Sequence, residues 1–380
     1  MKFIHTSDWH LGRQFHNVSL LDDQKAVLEQ IKAYLIEHQA AALVIAGDIY
    51  DRSIPPTPAI EVLDAFLSDV INNLKTPVIL IPGNHDGATR LGFGASQLNK
   101  SGLHIISTYD EMLNPVVLSS PTIGEVAFYG IPYSDPEQVR HHYQTQVSNH
   151  EEAHQFLSVQ LQRVRGQADK EVLISHCFID GAEPSESERT LSIGGADRVS
   201  FQHFSDFDYV ALGHLHQPQY RGKEHIRYCG SIMKYSFSEQ YHNKAVTLVE
   251  LDEEGVQSTQ LPLKAPHDMR VVEGYLQDIL EQGKSDVNAH DYLMVRLLDQ
   301  HAILDPMEKL RKVYPNTLHL EKPGMLVDSE RGTSSTRLAR DEVDMFKDFF
   351  NEIQGQPLSD EQTSMVQTVI AELRKAEREG

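Results

Sequence analysis

Along this chain, short and largely apolar runs, each about the length of a β-strand, alternate with longer segments whose apolar residues recur at helical spacing. The helical segments LLDDQKAVLEQIKAYLIEHQ and AIEVLDAFLSDVINNL each lie between two such runs. Strand, helix, strand in that order implies right-handed crossovers and a layered α/β core. The alternation extends from residue 1 to about 265. Its later part, with AVTLVEL after YCGSIMKY, reads as plain β, so the expectation is a two-sheet sandwich flanked by helices, with the strand order left open.

A second unit follows APHD, near residue 266. HDMRVVEG, YLQDILEQG, DYLMVRLLD, DPMEKLRKVYP and NTLHLE read in turn as strand, helix, strand, helix and strand, a small α/β domain over 266–322. Residues 323–337 are rich in Gly, Ser, Thr and charge and read as a linker. Two helices are expected over 338–380. Val343, Phe346, Phe349, Phe350 and Ile353 make an apolar stripe on the first. Ser359 with Gln362 is a capping-box start for the second, where Met365, Val366, Val369, Ile370 and Leu373 share a face. Such stripes need cover. The pair either folds back on its own body or docks on another protein, and the pattern alone leaves both open.

Five of the apolar runs end alike. FIHTSD brings Asp8 and His10, ALVIAG leads to Asp48, VILIPG to Asn84 and His85, EVLIS to His176, and YVALG to His214 and His216. A lone His or Asp at a strand end is most often a structural residue or turn former, but the same chemistry at five endings is a pattern. Open α/β sheets hold ligands beyond the C-terminal ends of their strands, so these residues are expected to converge on one site. Positions i and i+2 of a strand share a face, so Asp8 with His10, and His214 with His216, are each expected to present two ligands to one place.

Asp8, His10, Asp48, Asn84, His176, His214 and His216 offer oxygen and imidazole donors without thiolate, too many for one tetrahedral ion and suited to two octahedral-type cations. Asp48 is the candidate bridge, since a carboxylate spans ions about 3.5–4 Å apart, and such a pair serves in-line attack on phosphorus. The leaving oxygen needs a proton. His85 is the candidate general acid, with Asp51 as the carboxylate that holds its ring. Arg52 and Arg90 read as solvated, and His141, His142, His150 and His154 are assigned no metal.

Composition narrows the function. A chain of 380 residues, 40% hydrophobic and 8% aromatic, fits an ordinary soluble protein of about two to three domains. No run approaches the roughly 20 apolar residues of a membrane helix. MKFIHTSDWH lacks the features of a signal peptide, and Cys177 and Cys229 have no metal-type spacing, so the expectation is a cytoplasmic protein with reduced thiols. A formal charge of −21 argues against binding nucleic acid by bulk attraction. Acting on DNA would require metals, a local basic strip or a partner. There is no Walker-type loop or dinucleotide fingerprint, so metals or side chains must supply any phosphate chemistry.

The ordered set DWH, GDIYD, GNHD, ISH and GHLH resembles the calcineurin-like metallophosphoesterase superfamily. Within it, SDWHLGR, GDIYDRSIPP, SESERTLSIGGAD, YVALGHLHQPQ and CGSIMKYSFSE resemble the SbcD family of bacterial nuclease subunits, over essentially the whole chain. The resemblance implies a four-layer α/β/β/α sandwich, with 1–265 as the nuclease domain, a small capping domain over 266–322 that helps position DNA, and C-terminal helices. It implies two manganese ions, one held by Asp8, His10, Asp48 and His216 and the other by Asp48, Asn84, His176 and His214, with His85 as the catalytic histidine. Some archaeal relatives carry a histidine where this chain has Asp51; in phosphoprotein phosphatases of the superfamily an Asp there supports the active-site His.

The implied partners are DNA, a second copy of the chain bound through helices near the nuclease site, and the coiled-coil ATPase SbcC, gripped by the C-terminal helices, as a homodimer within a heterotetramer. That tips the open question about those helices towards docking, and it supplies a DNA-binding surface that an acidic chain lacks. The implied activity is metal-dependent DNA cleavage, exonucleolytic on double-strand ends and endonucleolytic on single strands or hairpins, under ATP control, in DNA repair, recombination and replication. One rival is a free-standing phosphoesterase for a small nucleotide or phosphoprotein, which would not require the extra domain and helices. Another is a scaffold with a vestigial site, against which the complete ligand set stands. Imidazole and carboxylate accept manganese, iron or zinc, so metal identity rests on the resemblance.

Overall fold

The computed structural model describes residues 1–188, 197–299, 301, 303–323, 343, 346, 347, 349–351 and 356–379, with side chains described as far as 370. The chain divides into two compact units, Met1–Asp268 and Met269–Gly380.

In the first unit the sheet strands are, in chain order, β1 (Lys2–Thr6), β2 (Leu43–Ala46), β3 (Val78–Ile81), β4 (Leu103–Ile105), β5 (Val116–Ser120), β6 (Gly124–Ile131), β7 (Lys170–His176), β8 (Tyr209–Gly213), β9 (Gln219–Arg221), β10 (Lys223–Tyr228), β11 (Ala245–Leu251) and β12 (Val256–Pro262). They form two six-stranded sheets, ordered β12–β11–β1–β2–β3–β4 and β9–β10–β8–β7–β6–β5. Strands β1 to β4 are mutually parallel. So are β6, β7, β8 and β10. Antiparallel strands close three of the four edges with β12, β9 and β5.

The central strands are apolar on both faces because both are covered. One face of each sheet meets the other sheet. Phe3, Val44, Ala46, Ile79 and Ile81 pack there against Phe128, Val172, Ile174, Tyr209 and Ala211. Phe3 stands edge-on to Phe128 and Tyr209, with ring centroids 5.4 and 5.7 Å apart. The crossovers of the first sheet are α1 (Leu21–Glu37) and α2 (Thr57–Ser68), which bury Val27, Ile31 and Leu35, and Ala59, Leu63 and Phe66. α2 starts two residues ahead of the apolar pattern because Pro58 fits its first turn, where no N–H is needed. Behind the second sheet, α3 (Pro136–Tyr143) and α4 (His150–Gln162) contribute Val139, Leu157 and Leu161 to a core with Tyr129, Leu173, Val210 and Leu212. These are the four α/β/β/α layers expected.

The second unit contains β13 (Met269–Gly274), α5 (Leu276–Gly283), β14 (Tyr292–Leu297), α6 (Pro306–Arg311) and β15 (Thr317–Glu321). Its three strands are parallel, in the order β13–β14–β15, over a core of Leu276, Ile279, Leu293, Val295, Leu310 and Tyr314. Nearly all of the expected linker lies outside the described residues, as do Ile353 and the side chain of Leu373. On the first C-terminal segment Val343 is buried, while Phe346 and Phe349 are 40% and 58% exposed. The second is α7 (Asp360–Glu379). Its capping box forms as expected, with Ser359 N–H on Gln362 Oε1 at 2.9 Å and Gln362 N–H on Ser359 Oγ at 3.2 Å. No helix among the described residues is long and apolar enough to cross a membrane.

Candidate metal centre

Strands β1, β2 and β3 run side by side in one sheet, and β7 and β8 do so in the other. Their C-terminal ends open onto one edge of the sandwich. His176 Nδ1–H donates to the Ala46 carbonyl at 2.9 Å across the gap between the sheets, and Tyr133 N–H to that of Pro82 at 3.0 Å. Gly213 permits the approach, for a Cβ there would stand 1.8 Å from the Ala46 oxygen.

The expectation that Asp8 and His10, and His214 and His216, share strand faces is corrected by the structure. β1 stops at Thr6 and β8 at Gly213. Beyond them the backbone takes positive φ at Asp8 (53°), His10 (45°) and His214 (108°), as it does after β2 at Asp48 (50°). Each such conformation costs about 1–3 kcal/mol outside glycine and survives only where its surroundings impose it. Here Asp8 N–H bonds the Gly47 carbonyl at 3.0 Å and His10 N–H that of Asp48 at 2.9 Å. His214 N–H bonds the Asp8 carboxylate at 3.0 and 3.2 Å. The turns splay His214 from His216, so that His214 faces Asn84 while His216 faces His10, whereas Asp8 and His10 still meet in one group although neither lies on a strand face.

Side chains of all seven expected ligands meet at this edge, in two groups that share Asp48. In one, His10 Nε2 and His216 Nε2 are 3.1 Å apart beside Asp8, with Asp48 Oδ2 3.7 Å from His10 Nε2. In the other, Asn84 Oδ1 lies 3.0 Å from His176 Nε2 and 3.2 Å from His214 Nδ1, and Asp48 Oδ2 lies 3.5 Å from His176 Nε2. Asp8 also clusters with Asp48 and His176, which puts it close to both groups.

His85 lies beside them, its backbone N–H on Asp48 Oδ1 at 2.9 Å and its ring edge-on to His10 at 4.7 Å. Its Nδ1–H donates to the main-chain carbonyl of Asp51 at 2.8 Å. The expected carboxylate support is therefore corrected to a carbonyl one. The Asp51 carboxylate is drawn instead to Arg13, at 3.2 Å, and stands 3.7 Å from His10 Nδ1.

Burial sets most of the electrostatics. It pushes Asp8 up to about 6, and lowers His10 and, to about 3, His214, which keeps those imidazoles neutral. Burial would raise Asp48 as well, but the charged His176 beside it holds its carboxyl well below the usual range. Burial also opposes charge on His176, yet Asp48 carries it up to about 9, so a cation arriving there displaces a proton.

The donor set fits divalent cations. With Nδ1–H committed to Ala46, the raised pKa of His176 puts its second proton on Nε2, 3.0 Å from Asn84 Oδ1 and 3.5 Å from Asp48 Oδ2, where a divalent cation would take that proton's place. Asn84 Nδ2 and His10 Nδ1 are buried without a hydrogen-bond partner. Buried polar atoms left unpaired in a dry site are costly. Oxygen and imidazole donors suit manganese, iron or zinc.

Sequence reasoning missed the groups behind these ligands. Asp86 accepts N–H bonds from Gly83, Ile49 and Tyr50 at 2.9–3.1 Å, locking the turn after β2 to the turn after β3. Its place beside Gly87 in NHDG was the available signal. Gln24 Nε2 donates to the carbonyls of Trp9 and His10 from α1. Glu239 and Lys244, a buried ion pair, stand behind His216; burial opposes the Glu239 charge but Lys244 holds the carboxyl ionised. Nothing in the local sequence marks Gln24 or Lys244, and Glu239, though it closes the CGSIMKYSFSE stretch, carries no local sign that it is buried. Cys177 and Cys229 are buried free thiols.

The family model for calcineurin-like phosphoesterases matches residues 1–218, and a model described as the type 5 capsule protein repressor C-terminal domain matches 265–354. The SbcD subunit of the SbcCD nuclease from Staphylococcus epidermidis is 33% identical over 377 residues, 98% of this chain and 98% of that one. Among solved structures, a dimetal phosphatase from Danio rerio is 12% identical over 70% of this chain and 99% of its own, with a TM-score of 0.40. A phosphatase from Mycoplasma pneumoniae is 14% identical over 70% and 95%, at 0.36. The phosphoesterase match ends just past the His214–His216 pair, one relative aligns end to end, and the chain thus belongs to the calcineurin-like phosphoesterases, in the SbcD family of SbcCD nuclease subunits.

Proposed function

We propose that this chain is the nuclease subunit of an SbcCD-type complex and cleaves DNA with two divalent cations, manganese by preference. Asp8, His10, Asp48 and His216 hold one, and Asp48, Asn84, His176 and His214 hold the other. The observation that carries this is the convergence of carboxylate, amide-oxygen and imidazole groups around Asp48, with His10 Nε2 and His216 Nε2 turned on each other at 3.1 Å. When bound, such a pair supplies an acidified water as nucleophile and positive charge against the phosphate oxygens.

The chain's own residues do the rest. Asp48 fixes His85 through the backbone N–H, and the Asp51 carbonyl holds its Nδ1–H, which leaves Nε2 as the nitrogen that passes a proton to the leaving oxygen. Burial keeps the His10 and His214 imidazoles neutral. An apolar groove lined by Ile54, Ile60, Phe93 and Leu98, exposed by 68, 45, 86 and 36%, is where we place a second copy of the chain. We place SbcC on the C-terminal helices and the small α/β domain over 266–322 beside the DNA. The assembly would act in the cytoplasm, in DNA repair, recombination and replication.

Purified chain with manganese should cut linear duplex ends and single-stranded DNA, and EDTA should abolish both. Hydrolysis of a chromogenic phosphodiester with no cleavage of any DNA, alone or with SbcC, would replace this reading with that of a small-substrate phosphoesterase.

A further inference from the structure

His216 can serve as a ligand through Nε2 only if its single neutral-state proton stays on Nδ1. What surrounds Nδ1 decides that. Ser187 Oγ lies 2.6 Å from it and Glu239 Oε1 lies 3.3 Å from it, and Ser187 Oγ also hydrogen-bonds Glu239 Oε1. A hydroxyl has one proton to give. A carboxylate can only accept, so the Ser187 proton goes to Glu239, and Ser187 must accept from His216 Nδ1–H.

The carboxylate is itself held. Lys244, buried in the same place, donates from Nζ to Glu239 Oε2 at 2.5 Å, to the His216 carbonyl at 2.8 Å and to Ser231 Oγ at 2.8 Å. The three ammonium protons thus have three acceptors, one of them on the backbone of the ligand. Glu188 Oε1 takes the His216 backbone N–H at 2.7 Å, so both main-chain groups of His216 are pinned.

We propose that Glu239 is a positioning residue for the metal reaction: clamped by Lys244, it orients the hydrogen bonds through Ser187 so that His216 presents an unprotonated Nε2 beside His10. This rests on the two-cation reading and adds to it the device that selects the tautomer. Support of this kind from behind a ligating imidazole is worth about 10–100-fold in metal affinity.

The geometry makes a directional demand. In Glu239→Gln, Lys244 still requires an oxygen at the Oε2 position, which turns the amide NH2 towards Ser187. The hydroxyl then accepts from the amide and donates to Nδ1, and His216 is driven to the Nε2–H tautomer that blocks ligation. Removing the ammonium as well frees the amide to turn its oxygen back.

The test is 15N NMR of the histidine rings in the metal-free full chain, with His216 assigned by substitution, alongside manganese titration by calorimetry. The parent should show the Nδ1–H tautomer at His216 and bind two equivalents of manganese. Glu239→Gln should show Nε2–H and lose at least tenfold in affinity at one of the two sites. Glu239→Gln with Lys244→Met should regain the parental tautomer and most of that affinity. An Nε2–H tautomer in the parent overturns the proposal whatever the variants do, and so does a double variant that folds and stays as weak as the single. A parent with the Nδ1–H tautomer that takes up no manganese overturns the two-cation reading instead.

Discussion

The ring of His85 is held by Asp51 through a main-chain carbonyl, 2.8 Å from Nδ1, while the Asp51 carboxylate, within 4.8 Å of a His85 ring nitrogen, makes its ion pair with Arg13 at 3.2 Å. A substitution that changes only the carboxylate therefore leaves the support of His85 in place. Asp51→Asn should retain manganese-dependent DNA cleavage to within about tenfold, whereas His85→Ala, which removes the proton donor, should cost on the order of 10²–10⁴ in kcat with manganese binding kept. Single-turnover cleavage and metal titration measure the two separately. An Asp51→Asn chain as inactive as His85→Ala would return the working role to the carboxylate.

Gly213 governs how closely the two sheets approach at the site. A Cβ at this position meets the Ala46 carbonyl oxygen at 1.8 Å and His176 Nδ1 at 2.8 Å, and neither is the yielding end of a flexible side chain. Gly213→Ala should destabilise the first unit by about 3 kcal/mol or more, at the upper end for overpacking. It should also break the bond from His176 to Ala46 that aims Nε2. Urea denaturation followed by metal titration tests both. A variant with parental stability would mean that the sheets can part there at little cost.

Which residues gather at the site was legible because apolar runs such as VILI and YVALG announce buried strands, and their polar endings are few. How they gather was not. The reading of Asp8 with His10 relied on a strand pleat that ends at Thr6, and left-handed turns at φ 53° and 45° do the work instead. Local patterning does not report backbone hydrogen bonds to Gly47 and Asp48, which are remote in sequence. For the same reason it placed the Asp51 carboxylate on His85, without sight of Arg13 as competitor. The pairing of Glu239, the last residue of CGSIMKYSFSE, with Lys244 was invisible because charged residues in a polar segment read as solvated until the fold buries them.

His154, within α4, is buried, with Nδ1–H on the His150 carbonyl at 2.9 Å and Nε2 without a partner. Burial pushes its pKa down to about 4, opposed by the hydrogen bond to the His150 carbonyl and the charge of Glu151 and reinforced by the His150 and His203 rings. The folded ring is thus neutral where the unfolded ring, near its usual 6.5, takes up a proton. Its contribution to stability is complete above pH 6.5 and is lost as pH falls towards 4. Between pH 7 and 5 the parent should lose about 2 kcal/mol more than His154→Gln. Urea unfolding of the metal-free proteins at the two pH values gives this difference directly, and equal losses would show that His154 titrates normally in the folded chain.

Phe346, Phe349, Met365 and Val369 remain 40, 58, 71 and 50% exposed on the C-terminal segments, which gives them apolar surface to lose to a partner. Fully burying one such side chain contributes about 1.5–3 kcal/mol. If SbcC covers them, Phe349→Ala should weaken its binding by roughly tenfold to a hundredfold, and removal of residues 338–380 should abolish it. Cleavage of single strands with manganese should persist in both, because no proposed ligand lies in this part of the chain. Size-exclusion chromatography with purified SbcC and a nuclease assay on the same samples read the two effects. A truncated chain that still elutes with the ATPase would move the docking surface elsewhere, whereas one that also loses cleavage would tie these helices to the integrity of the nuclease unit.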